Sequence, residues 1–507
     1  MTAEPTDSPE EKGKHKFSDF FYNRLTYCGV FLTVLFFSVE IFFFGIDFFS
    51  PHSNLYLGIV TYVLLPPFLI LGLILIPWGA LRKRRLVEKG IAHGKPKSVY
   101  IDPTIPSHRN AILVFLSGTV ILIIMTVIGS YKAFHYTESV HFCGIVCHKV
   151  MEPEYTTYLN SPHARVKCVE CHIGSGADWY VRSKISGVRQ IFRTMTNEYP
   201  RPIPAPVHNL RPAKETCEQC HWPGKFFSAF ELNRTYYPTQ ESEYENWKVR
   251  MMVHIGRTKG KDYGIHAHMY LDKNIYYVSD DEKRQVIPWV KSIGKDGKEK
   301  IFTSPDSPYK DSEPLPEKIR KMDCMDCHNR PAHHFLAPFE LLNGSLTEGT
   351  INPTIPSIKE KGVEFLSREY ASREEAVETI STGLRDYYQK KHSDFFAAHT
   401  QEIEKAIKQI TRMYQENFFP KMKTRWDSHP DNIGHLVSAG CFRCHGGEHR
   451  SAEGEVITHD CNVCHTIIEQ GPLNALEKNT DGLNFRHPFD EDESWKEMNC
   501  SDCHTGN

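Results

Sequence analysis

Apolar residues gather into three unbroken runs near the N-terminus, and elsewhere they are scattered or periodic. The runs extend from Leu25 to Phe49, from Leu57 to Ala80 and from Ala111 to Tyr131. Each supplies the roughly twenty residues that a helix needs to cross ~30 Å of hydrocarbon. Three transmembrane helices are therefore expected over 25–131, after a tail of residues 1–24. Beyond them the pattern changes twice. Lys248–Val253 and Asn274–Val278 alternate as strands, and Asp296-Gly297 marks a hairpin turn, so 223–323 reads as a β-rich insertion. Ile403, Ile407, Ile410 and Tyr414 recur at steps of 4, 3 and 4, an apolar face suited to helix packing, and 334–420 reads as a helical segment. The expected fold class is mainly α, with three transmembrane helices followed by a soluble region that holds this insertion and this helical segment.

Charge orients the membrane part. Lys12, Lys14, Lys16 and Arg24 precede the first run. The link from Ser50 to Tyr56 has neither Lys nor Arg, whereas Arg82, Lys83, Arg84, Arg85, Lys89, Lys95, Lys97 and Arg109 follow the second run. Positive charge stays inside, which makes the N-terminus cytoplasmic and everything after Tyr131 external. The first run is long and starts far from Met1, so it reads as a retained anchor. Glu40 lies in its outer half, and Pro66-Pro67 interrupts the second run at a similar depth. An intramembrane carboxylate needs a reason. Glu40 reads either as a proton acceptor beside a lipid-soluble substrate or as a carboxyl hydrogen-bonded between helices. Cys28 reads as a small apolar filler. With 60 Lys+Arg against 62 Asp+Glu, the net charge of −2 excludes the electrostatics of nucleic-acid binding.

Cysteine carries the chemistry. Fourteen of the 15 fall into seven pairs, each followed directly by His. Six are C-x-x-C-H: Cys168/Cys171/His172, Cys217/Cys220/His221, Cys324/Cys327/His328, Cys441/Cys444/His445, Cys461/Cys464/His465 and Cys500/Cys503/His504. This is the attachment signature of c-type haem. Cysteines three apart share one face of a helical turn, where both can form thioethers, and the next His turns under the ring to ligate iron. The first pair, Cys143 and Cys147 before His148, has one extra intervening residue, and positions i and i+4 still share a face. Structural zinc would pair two such motifs per metal and would not require the His. Seven covalently bound haems c are expected, all on the external side, in agreement with the charge bias.

Six-coordinate iron needs a second axial ligand. Beyond Tyr131, sixteen His lie outside the motifs, more than twice the demand. Placement favours His163, His333, His266 and His268 (both on one face of an expected strand), His435, His449, His459 and His487.

The stretch from Phe142 to Pro223 resembles the NapC/NirT/NrfH family of membrane-anchored quinol dehydrogenases. The resemblance rests on the first motif, Met151-Glu-Pro153, Ser161-Pro-His163, Cys168–His172, Lys184 and Arg211–Pro223, with Cys324–His333 fitting as well. The whole layout is similar to ImcH-type seven-haem inner-membrane cytochromes. The resemblance implies a four-haem region over 132–333 and, after the helical segment, a three-haem region over 421–507. It implies Met151 as axial ligand of the first haem, with His148 as the alternative. It also implies His163 as distal ligand of the fourth haem, His333 as that of the second, and Lys184 beside a quinol pocket. Apart from the resemblance, Met151 also reads as a packing residue and Lys184 as a surface charge. The family's Asp near that pocket is replaced here by Gln190 and Ile191, which leaves Asp178 or Glu40 to take protons.

The activity expected is oxidation of quinol, menaquinol in particular, at the outer face of an inner membrane, with electrons passed to periplasmic cytochromes in anaerobic or extracellular respiration. Catalytic candidates are Met151, Lys184 and Glu40. The expected partners are the bilayer, the quinol pool and periplasmic c-type cytochromes. The rivals are a conduit without its own quinol site and a terminal haem reductase of a small oxyanion.

Overall fold

The computed structural model describes residues 20–49, 60–89, 103–146, 148–174, 176–206, 211–222, 229–238, 245–256, 264–269, 274–294, 296–488 and 493–506. Cys147, the tail with Lys12, Lys14 and Lys16, the link 50–59, the loop residues Lys95 and Lys97, Pro223 and the side chain of His148 lie outside the described residues. The chain divides into two units, 1–142 and 143–507.

In the first unit, α1 (Arg24–Phe49) packs on α2 (Leu65–Glu88). Among the described residues, two stretches are long and apolar enough to cross a membrane, Arg24–Ile46 and Leu65–Val87, with mean hydropathy 2.2 and 1.7. Small residues let the two backbones meet. A Cβ on Gly29 would lie 2.9 Å from the Gly72 carbonyl oxygen, and Thr26 Oγ1 donates to the Ile76 carbonyl at 3.3 Å. Phe36 stacks on Phe68 with ring centroids 4.8 Å apart. Cys28 lies on the exposed side of α1, while Thr26 and Gly29 occupy the positions that face α2. The second run begins as a π-helical turn, Val60–Leu64, and Pro66-Pro67 open α2, where a missing N–H costs nothing. The helix then continues eight residues past Ala80 and takes Arg82–Arg85 into its last turns. A third helix, α3 (Pro106–Thr137), has 32 residues and overruns the expected 111–131 at both ends.

In the second unit, α4 (His148–Leu159) and α5 (Ala177–Thr196) surround the second motif in sequence. Among the described residues two four-stranded sheets follow. One is ordered β5-β4-β3-β6, from β3 (Asn274–Val278), β4 (Trp289–Ile293), β5 (Glu299–Thr303) and β6 (Arg320–Lys321). Gly297, with φ of 76°, lies in the β4–β5 connection, as its Asp-Gly pair suggests. The other sheet is ordered β1-β2-β7-β8. Its first two strands, Ala229–Tyr236 and Trp247–His254, come from the insertion, and its last two, His465–Pro472 and Glu477–Leu483, come from the chain's last ninety residues. The insertion therefore shares a sheet with the C-terminal motifs. The β7 strand starts at a motif His, and His254 N–H donates to the Cys464 carbonyl at 2.8 Å.

The helical segment holds the main apolar core. Its helices are α6 (Pro338–Thr347), α7 (Ile358–Ser367), α8 (Arg373–Lys391) and α9 (Ser393–Asn417). Ile403, Ile407, Ile410 and Tyr414 are buried against Ile380, Leu384 and Leu366, as their spacing predicts. Ser372 caps α8 by accepting from Glu375 N–H at 3.1 Å.

Candidate haem-binding centres

The motifs fold locally as the thioether chemistry requires. His221, His328, His445 and His504 each donate their backbone N–H to the carbonyl of their motif's first Cys, at 2.8, 2.8, 3.0 and 2.9 Å. Cys168–His172 is a single α-helical turn. Both sulfurs of such a turn face one side. The extra residue of the first motif is absorbed in a π-helical turn, Phe142–Val146, the usual way a helix accommodates one insertion. Gly144 is required there, since a Cβ would lie 2.2 Å from the Tyr155 ring.

Six motif His each face one other His ring. The ring centroids are 6.2 Å apart for His172 and His333, 6.0 Å for His221 and His163, and 6.3 Å for His328 and His266. They are 5.8 Å apart for His445 and His268, 6.4 Å for His465 and His435, and 6.0 Å for His504 and His487. An imidazole nitrogen sits about 2 Å from a bound metal, so two rings on opposite sides of one iron have centroids about 6 Å apart. The donor set thus fits iron held between two imidazoles. Among the described residues, no three His, Cys, Asp or Glu converge as a cage for a lone ion.

Carbonyls set the tautomers. Nδ1 of His163 bonds the Pro331 carbonyl at 3.1 Å, and that of His333 bonds Glu154 at 2.9 Å. The same atom of His266 bonds Ile255 at 2.9 Å, of His268 bonds Ile265 at 2.5 Å and of His445 bonds Thr458 at 3.0 Å. A proton fixed on Nδ1 leaves Nε2 as the lone-pair donor.

Several expectations change. His163 faces the third motif through His221, not the fourth, and the fourth finds His266. His266 and His268 lie on a 3-10 turn, Ile265–His268, not on a strand, and this turn sends them to different motifs. His449 is buried, with Nε2 on the Ile287 carbonyl at 2.7 Å. His459 packs on Phe442 at 4.7 Å. Neither is brought to a motif ring among the described residues. Met151 is half-buried on α4, and Lys184 places its ammonium 4.7 Å from the Tyr180 ring centroid on α5. Glu40 Oε2 is buried in the first unit with no hydrogen-bond partner among the described residues.

The cysteines of a motif are also not equivalent, as a shared role in attachment would suggest. Cys171, Cys220 and Cys503, the second sulfur positions of the second, third and last motifs, are exposed, whereas Cys168, Cys217 and Cys500 in the same motifs are half-buried. The turn itself does not decide this: Cys220 closes a short turn through its N–H on the Cys217 carbonyl at 3.2 Å and Cys503 ends Cys500–Cys503, but Cys464 closes the same kind of turn on the Cys461 carbonyl at 3.2 Å and Cys327 ends Cys324–Cys327. The fourth, fifth and sixth motifs differ, since Cys327, Cys444 and Cys464 are all half-buried, with Cys444 packed against the apolar cluster of Ile275, Tyr277, Ile287 and Val290. Attachment asks of a sulfur only that it reach the ring edge, so exposure changes the surroundings of Cys220 and Cys503 and not their fitness for a thioether.

The sulfurs follow one another in motif order. Cys143 hydrogen-bonds Cys168. Although Cys171 is exposed as a residue, its sulfur is partly screened from water, which raises the thiol, and the neighbouring Cys217 raises it further, while Cys217 in turn hydrogen-bonds Cys324. Burial and then Cys441 push the Cys327 thiol up to about 11. Burial, then Cys441, raise Cys464 to about 11, and burial, then Cys461, raise Cys500 to about 11. Thioethers do not titrate, so what persists in the mature protein is proximity, each motif beside the next.

A buried polar cluster joins the fourth and fifth motifs. Asp326, 1% exposed, accepts from Tyr277 Oη at 2.7 Å, Arg284 Nη1 at 2.7 Å, Arg320 Nε at 2.8 Å and its own cap residue Asp323 N–H at 2.8 Å. Arg443, inside the fifth motif, donates to the Asp326 carbonyl at 2.8 Å and to the Arg284 carbonyl at 2.8 Å. Sequence reading missed both residues. An acidic and a basic residue at the same place in two motifs were the available signal.

No solved structure matches the chain. The model of the NapC/NirT cytochrome c family, N-terminal region, matches residues 105–202, which hold the first two motifs. The cytochrome c-type protein NrfH of Wolinella succinogenes is 31% identical over 97 residues, 18% of this chain and 54% of that protein. The cytochrome c-type protein ImcH of Geobacter sulfurreducens is 37% identical over 490 residues, 96% of each chain. With ImcH matched along nearly its full length, the chain belongs to the NapC/NirT-type family of membrane-anchored multihaem c-type cytochromes, which carry covalently bound haem c and transfer electrons.

Proposed function

We propose that the chain is a quinol:cytochrome c oxidoreductase of a bacterial inner membrane, drawing electrons from menaquinol at the outer face and delivering them to periplasmic cytochromes. The observation that carries this reading is the series of six His pairs strung together by neighbouring sulfurs in motif order. Such a series conducts between two ends. Its six centres have both axial positions spoken for, which disfavours a terminal reductase at any of them. In this reading all seven Cys pairs hold haem c, which supplies one-electron redox chemistry when bound. The α3 helix is the third membrane span, the N-terminus is cytoplasmic, and the motif-bearing unit is periplasmic.

The first motif begins only about twelve residues past the third apolar run, so its centre is the one nearest the bilayer in sequence. Met151 or His148 completes its axial pair. The Lys184 ammonium is suited to hydrogen-bond a quinol oxygen and lower the cost of deprotonation. The Glu40 carboxylate can take a proton from a substrate that arrives through lipid. The segments follow as an anchor over 25–131, a four-haem region over 132–333 containing the insertion 223–323, a helical spacer over 334–420 and a three-haem region over 421–507.

The test is anaerobic mixing of the purified protein with a menaquinol analogue, with haem absorbance followed by stopped flow and a pyridine haemochrome count beside it. Seven haems per chain and rapid reduction, slowed in Lys184→Ala, are expected. Full haem content without any reduction by quinol would instead make the chain a conduit fed by another subunit.

A further inference from the structure

The α5 helix combines two features that a soluble protein does not leave on its surface. Val181, Ile185, Val188, Phe192 and Met195 follow steps of 4, 3, 4 and 3, the same periodicity as the buried face of α9. Here they are 53%, 63%, 69%, 64% and 81% exposed. At 3.6 residues per turn they fill an arc of about 80°. Cations bracket that arc: Arg182, Arg189 and Arg193 on one flank and Lys184 on the other, against a single acid, Asp178. The helix is 20 residues long, but its polar flank bars it from crossing a bilayer.

We propose that α5 is a second membrane attachment, lying in the plane of the bilayer surface with its apolar arc among the acyl chains and its four cations at the level of anionic phosphates. The charge balance suits this occupant, since long basic side chains beside an apolar stripe place stems in hydrocarbon and heads among phosphates. The chain also carries its own membrane-crossing helices, so a lipid surface is always at hand. The core of a protein–protein interface, by contrast, is depleted in charge. This attachment goes beyond quinol oxidation and does not depend on it. It would, however, put Lys184 where a lipid-soluble substrate leaves the hydrocarbon.

The test uses the full holoprotein in vesicles of phosphatidylethanolamine and phosphatidylglycerol that carry a photoactivatable carbene reagent dissolved in the acyl phase. Mass spectrometry then locates the label. Label is expected on the five arc residues at a level comparable with Phe31 and Phe42 of α1 and absent from Ile380 and Leu384 of the bundle. The Val188→Glu/Phe192→Glu variant should lose label from α5 about tenfold while α1 keeps its own. The Arg182→Gln/Arg189→Gln/Arg193→Gln variant should no longer distinguish anionic vesicles from phosphatidylcholine ones. An unlabelled α5 beside a labelled α1 in the wild-type protein overturns the proposal, and the arc is then covered by haem or by protein. Quinol reduction measured on the same sample keeps that outcome separate from failure of the quinol reading.

Discussion

The second and fourth motifs place an acidic residue at the same position, directly before the second Cys, and treat it in opposite ways. Glu170 of the second motif is exposed, and the loop leading into its turn is held by Tyr158 Oη, which donates to the Ala164 and Val166 carbonyls at 2.7 and 2.9 Å. Asp326 of the fourth motif is almost wholly buried and gathers two Arg, a Tyr and a backbone N–H. The last motif also has an acid here: Asp502 is exposed and accepts from Asn499 N–H at 3.0 Å. A common motif therefore specifies attachment, while its variable middle residues decide how far the surrounding protein is organised without the cofactor. The fourth and fifth motifs are cross-braced by protein alone, and the second depends on its loop and on its His pair.

The strongest way to break that comparison is Asp326→Ala. It strands Arg284, Arg320 and the Tyr277 hydroxyl around a void, and removing one member of a buried ionic cluster costs about 3–5 kcal/mol. A sharp fall in melting temperature is expected, with loss of haem from the fourth and fifth motifs in peptide mapping. Survival with full haem content would mean that haem, not the cluster, holds the two motifs together.

A second test concerns a buried charge with poorer compensation. Lys359 on α7 is 8% exposed and donates to the Tyr237 carbonyl, and burial lowers its pKa from 10.5 to about 8. Between about pH 8 and 10.5 the unfolded chain holds a proton that the folded chain has released. Stability should therefore rise with pH through that window, by up to ~1.4 kcal/mol per unit from this group, and fall again as pH drops toward 8. Lys359→Met should remove that slope from denaturation curves taken across the window. Asp326, with four donors, illustrates the opposite case of a buried charge whose hydrogen bonds are met.

How much of this was legible in the sequence follows from the range of each interaction. The Cys and His of each motif are local, and so are the apolar face of α9 and the Asp296-Gly297 turn. All could be read from spacing. The pairing of His163 with His221 and of His266 with His328 is set by how distant segments pack, and no local pattern encodes it. The same holds for the exposure of Cys220 and Cys503 against the shelter of Cys327 and Cys444, which identical spacing cannot distinguish. The joining of β2 to β7 is equally invisible, because it couples residues more than two hundred apart and neither strand names its partner. His449 resembled a ligand by its place near a motif, yet its ring had a backbone carbonyl to satisfy. The α5 stripe shows the reverse limit: periodicity identifies an apolar face without saying whether protein or lipid will cover it.

Arg443→Lys sharpens the comparison on a smaller scale. The guanidinium reaches the Gly440, Arg284 and Asp326 carbonyls at 2.7, 2.8 and 2.8 Å, a fork that a lysine cannot reproduce. Charge is kept and geometry is lost, so about 1–2 kcal/mol of destabilisation is expected, visible as a modest drop in thermal midpoint at unchanged haem content.

The smallest effect belongs to Glu170→Ala, the same position as Asp326 in an open setting. An exposed side chain outside any buried network changes stability by no more than about 0.5 kcal/mol, so melting, haem content and the low-spin signal of the second centre should match the parent protein. The value of the experiment lies in the pairing. A Glu170→Ala loss as large as that of Asp326→Ala would show that an acid beside the second Cys is needed for haem attachment itself, whatever surrounds it. The burial of Asp326 would then be incidental, and the distinction between a cross-braced and an open motif would dissolve.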